Sequence, residues 1–196
     1  MSLRSLRIAL WVAAMAAAAA FIAIRLFPAG PQDEGVTAFS PSFVLADSEG
    51  AQRTSAEFRG KFLLVFFGFT NCPDVCPTTL SEVAQVMDDL GPDAARVQPI
   101  FISIDPERDR RLGLLAYTQA FHPAILGLAG TDTETQAAAE SFKIYFSREA
   151  DAAAPDGYTM SHSPGLFLIG PDGVWLRQFT YGTPGADILS DLKSRF

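Results

Sequence analysis

Cys72 and Cys76 stand four positions apart in the stretch NCPDVCP, residues 71–77, and the chain has no other cysteine. Such a pair serves as a disulfide, a metal site or a reactive thiol. On a helix, positions i and i+4 face the same way, so both sulfurs can converge on one ion. The pair can also close as a disulfide if the first helical turn deforms enough. Thioredoxin-type enzymes keep two residues between their cysteines, whereas this chain keeps three. Two thiolates favour soft ions, Cu(I) above all and also zinc. The only histidines are His122 and His162. His122, in AFHPAIL, falls at the end of a predicted helix, where a histidine needs no role beyond meeting the last carbonyls. His162, in YTMSHSPG, is either a third ligand or a solvated loop residue. Structural zinc wants four protein ligands, so two cysteines and one histidine with a place left open suit copper better.

These residues need a scaffold that brings them together. KFLLVFFGF (61–69) is a continuous apolar run of strand length, as in a strand buried on both faces. TTLSEVAQVMDDL (78–90) carries Leu80, Val83, Val86, Met87 and Leu90 at helical spacing, and Gly91-Pro92 stops it. The cysteines therefore sit between a buried strand and a helix, at the edge where α/β proteins keep their chemistry. Pro77 suits the first turn of that helix, and a helix N-terminus favours thiolate. SFVLADSEGAQRT reads as a β-hairpin, VQPIFISI (97–104) as a second buried strand, and RDRRLGLLAYTQAF as a helix. ILGLAG is a short strand or connector, and DTETQAAAESFKI is a helix capped by Asp132. GLFLIGPDGVWLRQF is two strands joined by a GPDG turn, and DILSDLKSRF is a closing helix. Alternating β and α followed by an antiparallel hairpin predicts a mixed α/β, thioredoxin-like fold with an N-terminal β-hairpin extension. In that fold the loop holding His162 faces the cysteine turn.

The N-terminus reads as an address. Ile8–Ile24 is uncharged, with Arg4 and Arg7 before it and Arg25 after it. As a helix the run rises about 25 Å, against a hydrocarbon core of roughly 30 Å. Leu26 and Phe27 close most of that gap if Arg25 snorkels. A cleaved signal peptide has a shorter core and a small-residue cleavage site, so residues 1–27 read as a signal anchor, one transmembrane helix. The basic flank keeps the N-terminus cytoplasmic. Residues 28–38 read as a tether, and 39–196 as the exported domain. The expected place is a bacterial-type inner membrane with the domain in the periplasm, an oxidising compartment. A net charge of −7 without a basic stripe argues against nucleic acid.

FFGFTNCPDVCPTTL resembles the signature of the Sco/SenC family of copper-delivery proteins. FISIDPERD (101–109) and YTMSHSPGLFLIGPDG (158–173) resemble its second and third blocks, in the same order and spacing. The likeness runs from about Phe39 to the C-terminus. It implies one copper ion bound by Cys72, Cys76 and His162, and a role in building the binuclear copper centre of cytochrome c oxidase subunit II. Family members act as metallochaperones, as thiol-disulfide reductases for that subunit's cysteines, or as both. Another periplasmic copper chaperone and a thiol reductant would be further partners. A peroxidase and a purely structural disulfide are weaker readings, since closing so short a loop adds little stability. The family commonly places an acidic residue before the histidine, where this chain has Ser161, which puts the tuning of His162 in question. Met160 reads as packing. Asp74, between the cysteines, reads as a helix-terminus group, and Asp105, Glu107 and Asp109 as capping or partner contacts rather than a hard-metal site.

Overall fold

The apolar run at 62–68 forms a strand in which every residue is buried, β3 (Phe62–Gly68), and the rest of the fold is arranged around it. The computed structural model describes residues 38–196, together with Trp11 and Met15, which are helical. Before β3 come β1 (Val44–Ala46) and β2 (Gln52–Thr54), an antiparallel hairpin. Asp47 makes its turn, its Oδ1 accepting from the Glu49 and Ala51 N–H groups at 3.0 Å each. After β3 the chain runs through α1 (Val75–Leu90), β4 (Val97–Ser103), α2 (Pro106–Leu112), α3 (Leu114–Gln119), β5 (Leu126–Leu128) and α4 (Asp132–Ser141). It continues through β6 (Phe146–Ala150), β7 (Tyr158–His162), β8 (Leu166–Ile169), β9 (Trp175–Phe179) and α5 (Gly185–Lys193).

The central sheet has the order β5-β4-β3-β8-β9. β3, β4 and β5 run parallel, while β8 and β9 are antiparallel to their neighbours. This is the mixed α/β, thioredoxin-type arrangement. Helix α1 buries Leu80, Val83, Val86, Met87 and Leu90, the stripe its spacing requires, and packs against α5. In the core Phe66 pairs with Phe101, and Phe67, Phe142 and Phe167 form a separate triad of ring contacts.

Three local expectations change. The helix expected from Arg108 onward is two helices, because Gly113 adopts φ 87° between α2 and α3. Helix α4 is capped by Thr131 rather than Asp132: Thr131 Oγ1 accepts from the Glu134 N–H (3.2 Å), and Glu134 Oε2 accepts from the Thr131 N–H (2.7 Å). The segment holding His162 is a strand, not a loop. β7 pairs antiparallel with β6 in its own two-stranded sheet, with Phe146 opposite His162. Residues 146–150 are mostly exposed and polar, so no apolar period announces them. Apart from Trp11, Met15 and Ala38, the expected membrane helix and tether lie outside the described residues. Among the described residues no helix is long and apolar enough to cross a membrane.

Candidate thiol and metal centre

Strand β3 delivers the chain to the cysteine turn, and a buried carboxylate fixes the turn in place. Thr70 donates to Asp109 Oδ1 through both its N–H (3.0 Å) and its hydroxyl (2.8 Å). The Ser103 hydroxyl, at the end of β4, donates to Asp109 Oδ2 (2.6 Å) and accepts from the Asp105 N–H (3.1 Å). Asp109 is fully buried, and burial pushes its carboxyl up against these three donors. One side chain thereby ties together the cysteine turn, β4 and α2. Nothing in the spacing of DPERD reveals this. Asp109 is three residues into a helix that looks solvent-facing by composition, and only the fold shows it pointing inward.

Cys72 lies just before α1 and Cys76 in its first turn. Both are free thiols, Cys72 part-exposed and Cys76 fully buried. The Cys72 N–H donates to the Phe69 carbonyl (3.2 Å), and the Cys76 N–H approaches Cys72 Sγ at 3.4 Å. The Cys76 thiol is the main group favouring Cys72 thiolate; burial opposes it, and the N–H groups of Cys76, Asp74 and Val75 assist. The Cys72 thiol is thereby brought down to about 6. The same contact pushes Cys76 strongly up, with burial and the Cys72 charge adding to it. The two sulfurs are therefore unequal, a part-exposed thiolate and a buried thiol.

The buried sulfur needs a glycine beneath it. A Cβ on Gly68 would meet Cys76 Sγ at 2.8 Å and the Phe101 ring at 2.9 Å. Gly68→Ala is expected to cost about 2 kcal/mol by overpacking, read as a lower urea midpoint for the reduced protein.

His162 closes β7 and is held between aromatic rings, 6.2 Å from Phe66 at 73° and 6.3 Å from Phe69 at 88°. Phe66 and Phe69 belong to β3 and the cysteine turn, so the imidazole shares their surroundings. Its Nδ1–H donates to the Ser163 carbonyl (3.1 Å), which leaves Nε2 as the acceptor nitrogen. Burial holds the imidazole below its ordinary value, the Ser163 carbonyl opposing, and favours the neutral form that ligates metals. Ser161 is exposed and adjacent on the strand, so its side chain points to the opposite face from His162. An acid at 161 on this strand would face solvent, and the orienting contact here comes from the Ser163 carbonyl.

The other singled-out residues have structural work. His122 accepts the Ala124 N–H at Nδ1 (3.1 Å) and places Nε2 at 3.5 Å from Asp88. Met160 is buried in the core. Asp74 accepts from the Tyr181 hydroxyl (3.3 Å). Asp105 holds the N-cap position of α2 but makes no capping bond. It pairs instead with buried Arg108 (2.6 Å) and accepts from the Tyr158 hydroxyl (3.1 Å to each oxygen). Among the described residues no three His, Cys, Asp or Glu side chains form a group that could hold a metal ion. The structure thus joins the two cysteines and sets His162 on the adjoining ribbon.

A strand-turn-helix thiol pair of unequal acidity, with a neutral imidazole packed on the same turn, defines a thioredoxin-type protein whose site suits thiol exchange or a soft metal. The sequence model of the SCO1/SenC family matches residues 31–196. The chain belongs to the SCO1/SenC family. It is 37% identical to the mitochondrial SCO2 homolog of Mus musculus over 153 residues, covering 77% of this chain and 60% of that protein. It spans between 46% and 60% of the length of the mammalian relatives it matches. Among solved structures, Bradyrhizobium japonicum ScoI with copper bound superposes with a TM-score of 0.73 at 35% identity, covering 81% of this chain and 100% of that one. BsSco superposes with a TM-score of 0.60 at 28% identity, covering 79% and 91%. BsSco is described as having a disulfide switch and as a member of the Sco family of cytochrome c oxidase assembly proteins.

Proposed function

We propose that this chain carries one copper ion on Cys72, Cys76 and His162 and delivers it to the binuclear copper centre of cytochrome c oxidase subunit II. The observation that carries the reading is the donor set. A thiolate at Cys72, a second sulfur within one helical turn, and an imidazole whose Nδ1 is tied to Ser163 offer two soft donors and one borderline donor. Copper is cargo, so the ligands must let go as well as hold. Cys72 is part-exposed and is the sulfur from which a partner's cysteine or histidine takes over the ion. Oxidation of the pair to a disulfide removes both sulfur ligands and so gates delivery. Residues 1–27 anchor the domain to the membrane, 28–38 tether it, and a periplasmic copper donor and a thiol reductant reload it.

The test is a Cu(I) titration of the reduced chain against a competing chelator, without oxygen. One tight equivalent is expected. Cys72→Ala or Cys76→Ala is expected to abolish it, and His162→Ala to weaken it by about 10- to 100-fold. Binding indifferent to His162 would overturn the ligand set.

A second reading is favoured by the inequality of the sulfurs. The Cys72 thiolate attacks a partner disulfide and forms a mixed disulfide, and the departing partner sulfur takes up a proton. Cys76 then loses its proton and attacks Cys72, releasing the reduced partner and leaving the Cys72–Cys76 disulfide. Reduction of subunit II cysteines by the copper-free chain, undiminished in His162→Ala, would favour this activity over delivery.

A further inference from the structure

A groove of about 430 Å³ opens beside the part-exposed Cys72. Asn71 and Cys72 form one wall, and Asp151, Ala153, Ala154 and Thr159 form the other. The second wall comes from β7 and the turn that joins β6 to β7. Cys76 is fully buried and does not line the groove, so any exchange with a partner's sulfur begins at Cys72. The alanines leave room for a chain rather than a single side group. None of the described residues lining the groove is basic, and Asp151 is its one acid. Asp151 is fixed: its Oδ1 accepts the Ala153 N–H (2.9 Å), and its own N–H donates to the Gly157 carbonyl (3.0 Å).

We propose that this groove seats the cysteine-bearing segment of a protein partner, and that Asp151 selects segments with a basic residue beside the cysteine. The inference rests on the reading that Cys72 exchanges with a partner's sulfur, and adds which partner segment it accepts and which residue chooses. The physical basis is charge complementarity in a walled cleft, which raises local concentration and association rate for the matching charge.

The test uses two short peptides that differ only in a lysine or a glutamate next to one cysteine. Each is carried as its mixed disulfide with nitrothiobenzoate. Cys72 thiolate attacks the peptide sulfur, a Cys72–peptide disulfide forms, and the bond to nitrothiobenzoate breaks. That group leaves as a coloured thiolate, so release is timed directly. The full chain with Cys76→Ser holds the mixed disulfide, and the unaltered chain is timed in parallel. At low ionic strength the lysine peptide is expected to react about 10-fold faster, with the ratio shrinking as salt is added. Asp151→Asn keeps the acceptor oxygen for the Ala153 N–H and is expected to bring the ratio close to one. Asp93→Asn, an equal change of charge outside the groove, is expected to leave it. A ratio near one in the parent chain, or one unchanged by Asp151→Asn, overturns the inference. Slow reaction of both peptides alongside fast reaction with the free aromatic disulfide also overturns it. No reaction with either reagent class overturns the exchange reading beneath it.

Discussion

Asp105→Ala is expected to cost about 3–5 kcal/mol of stability, because it leaves the Arg108 charge without its carboxylate in the interior. Both side chains are almost completely buried, Asp105 at 2% and Arg108 at 1% exposure. The guanidinium lies 4.2 Å over the Tyr158 ring and 5.8 Å from the centre of Phe69, and its Nη1 donates to the Tyr158 carbonyl (3.2 Å). Asp105 therefore does more than balance a charge. With Arg108 and Tyr158 it fastens the start of β7 to α2 and to the cysteine turn. Thermal unfolding is the check, with a melting temperature lower by about 10 °C. Replacing both partners, Asp105→Leu with Arg108→Met, is expected to recover much of the loss, since no charge is then stranded. A double variant as unstable as the single one would mean that the geometry of the pair, not its desolvation, sets the cost. Copper affinity of Asp105→Ala is expected to fall with the loosened ribbon, even though neither residue touches the ion.

The second large effect is in the rate at which Cys72 is alkylated. With its thiol brought down to about 6, the iodoacetamide reaction should rise to half its plateau near pH 6. An ordinary cysteine titrates near 8.5–9, so at pH 7 the thiolate population differs on the order of 30- to 100-fold. Cys76 is expected to stay unreactive across the same range while the protein is folded. The same asymmetry sets how stability depends on pH. Cys72 is lowered on folding, so its contribution is fully present above the unfolded value, 9.0, and is lost as pH falls through about 6. Cys76 is raised, so its contribution is lost as pH climbs above the unfolded value of 9.0. Urea unfolding of the reduced chain should strengthen between pH 6 and 9 relative to Cys72→Ser. A flat difference would remove the thiolate from the account.

The parts of the fold that were legible in the sequence are those whose burial imposes a period. β3 and β4 are buried on both faces and appear as unbroken apolar runs, and α1 appears as a stripe with a Gly-Pro stop. The cysteine pair was visible because its placement follows from the strand before it and the helix after it. The β6–β7 ribbon was hidden for the opposite reason. Its strands are paired only with each other in a separate sheet, and their outward residues carry no pattern to read. His162 was singled out through local resemblance rather than through its strand. The supporting network of Thr70, Ser103, Asp105, Arg108 and Asp109 was not legible, because a charged residue inside a short helix looks the same from the sequence whether it faces water or the core. Burial of three of the four charges in DPERD is a property of how α2 docks.

The division between the central sheet and the β6–β7 ribbon gives the centre one stiff half and one compliant half. The sulfurs stand on a turn braced by the core, and moving them means disturbing β3, β4 and α1 together. The imidazole rides on a two-stranded ribbon, a form that is only marginally stable by itself and here relies on a few side-chain fastenings. Opening at the histidine side is expected to cost a fraction of global unfolding, and opening at the sulfur side most of it, which amide exchange of β7 against β3 would read. On the proposed ligand set, a carrier built this way would loosen one ligand to admit or release its load while the other two stay where they are.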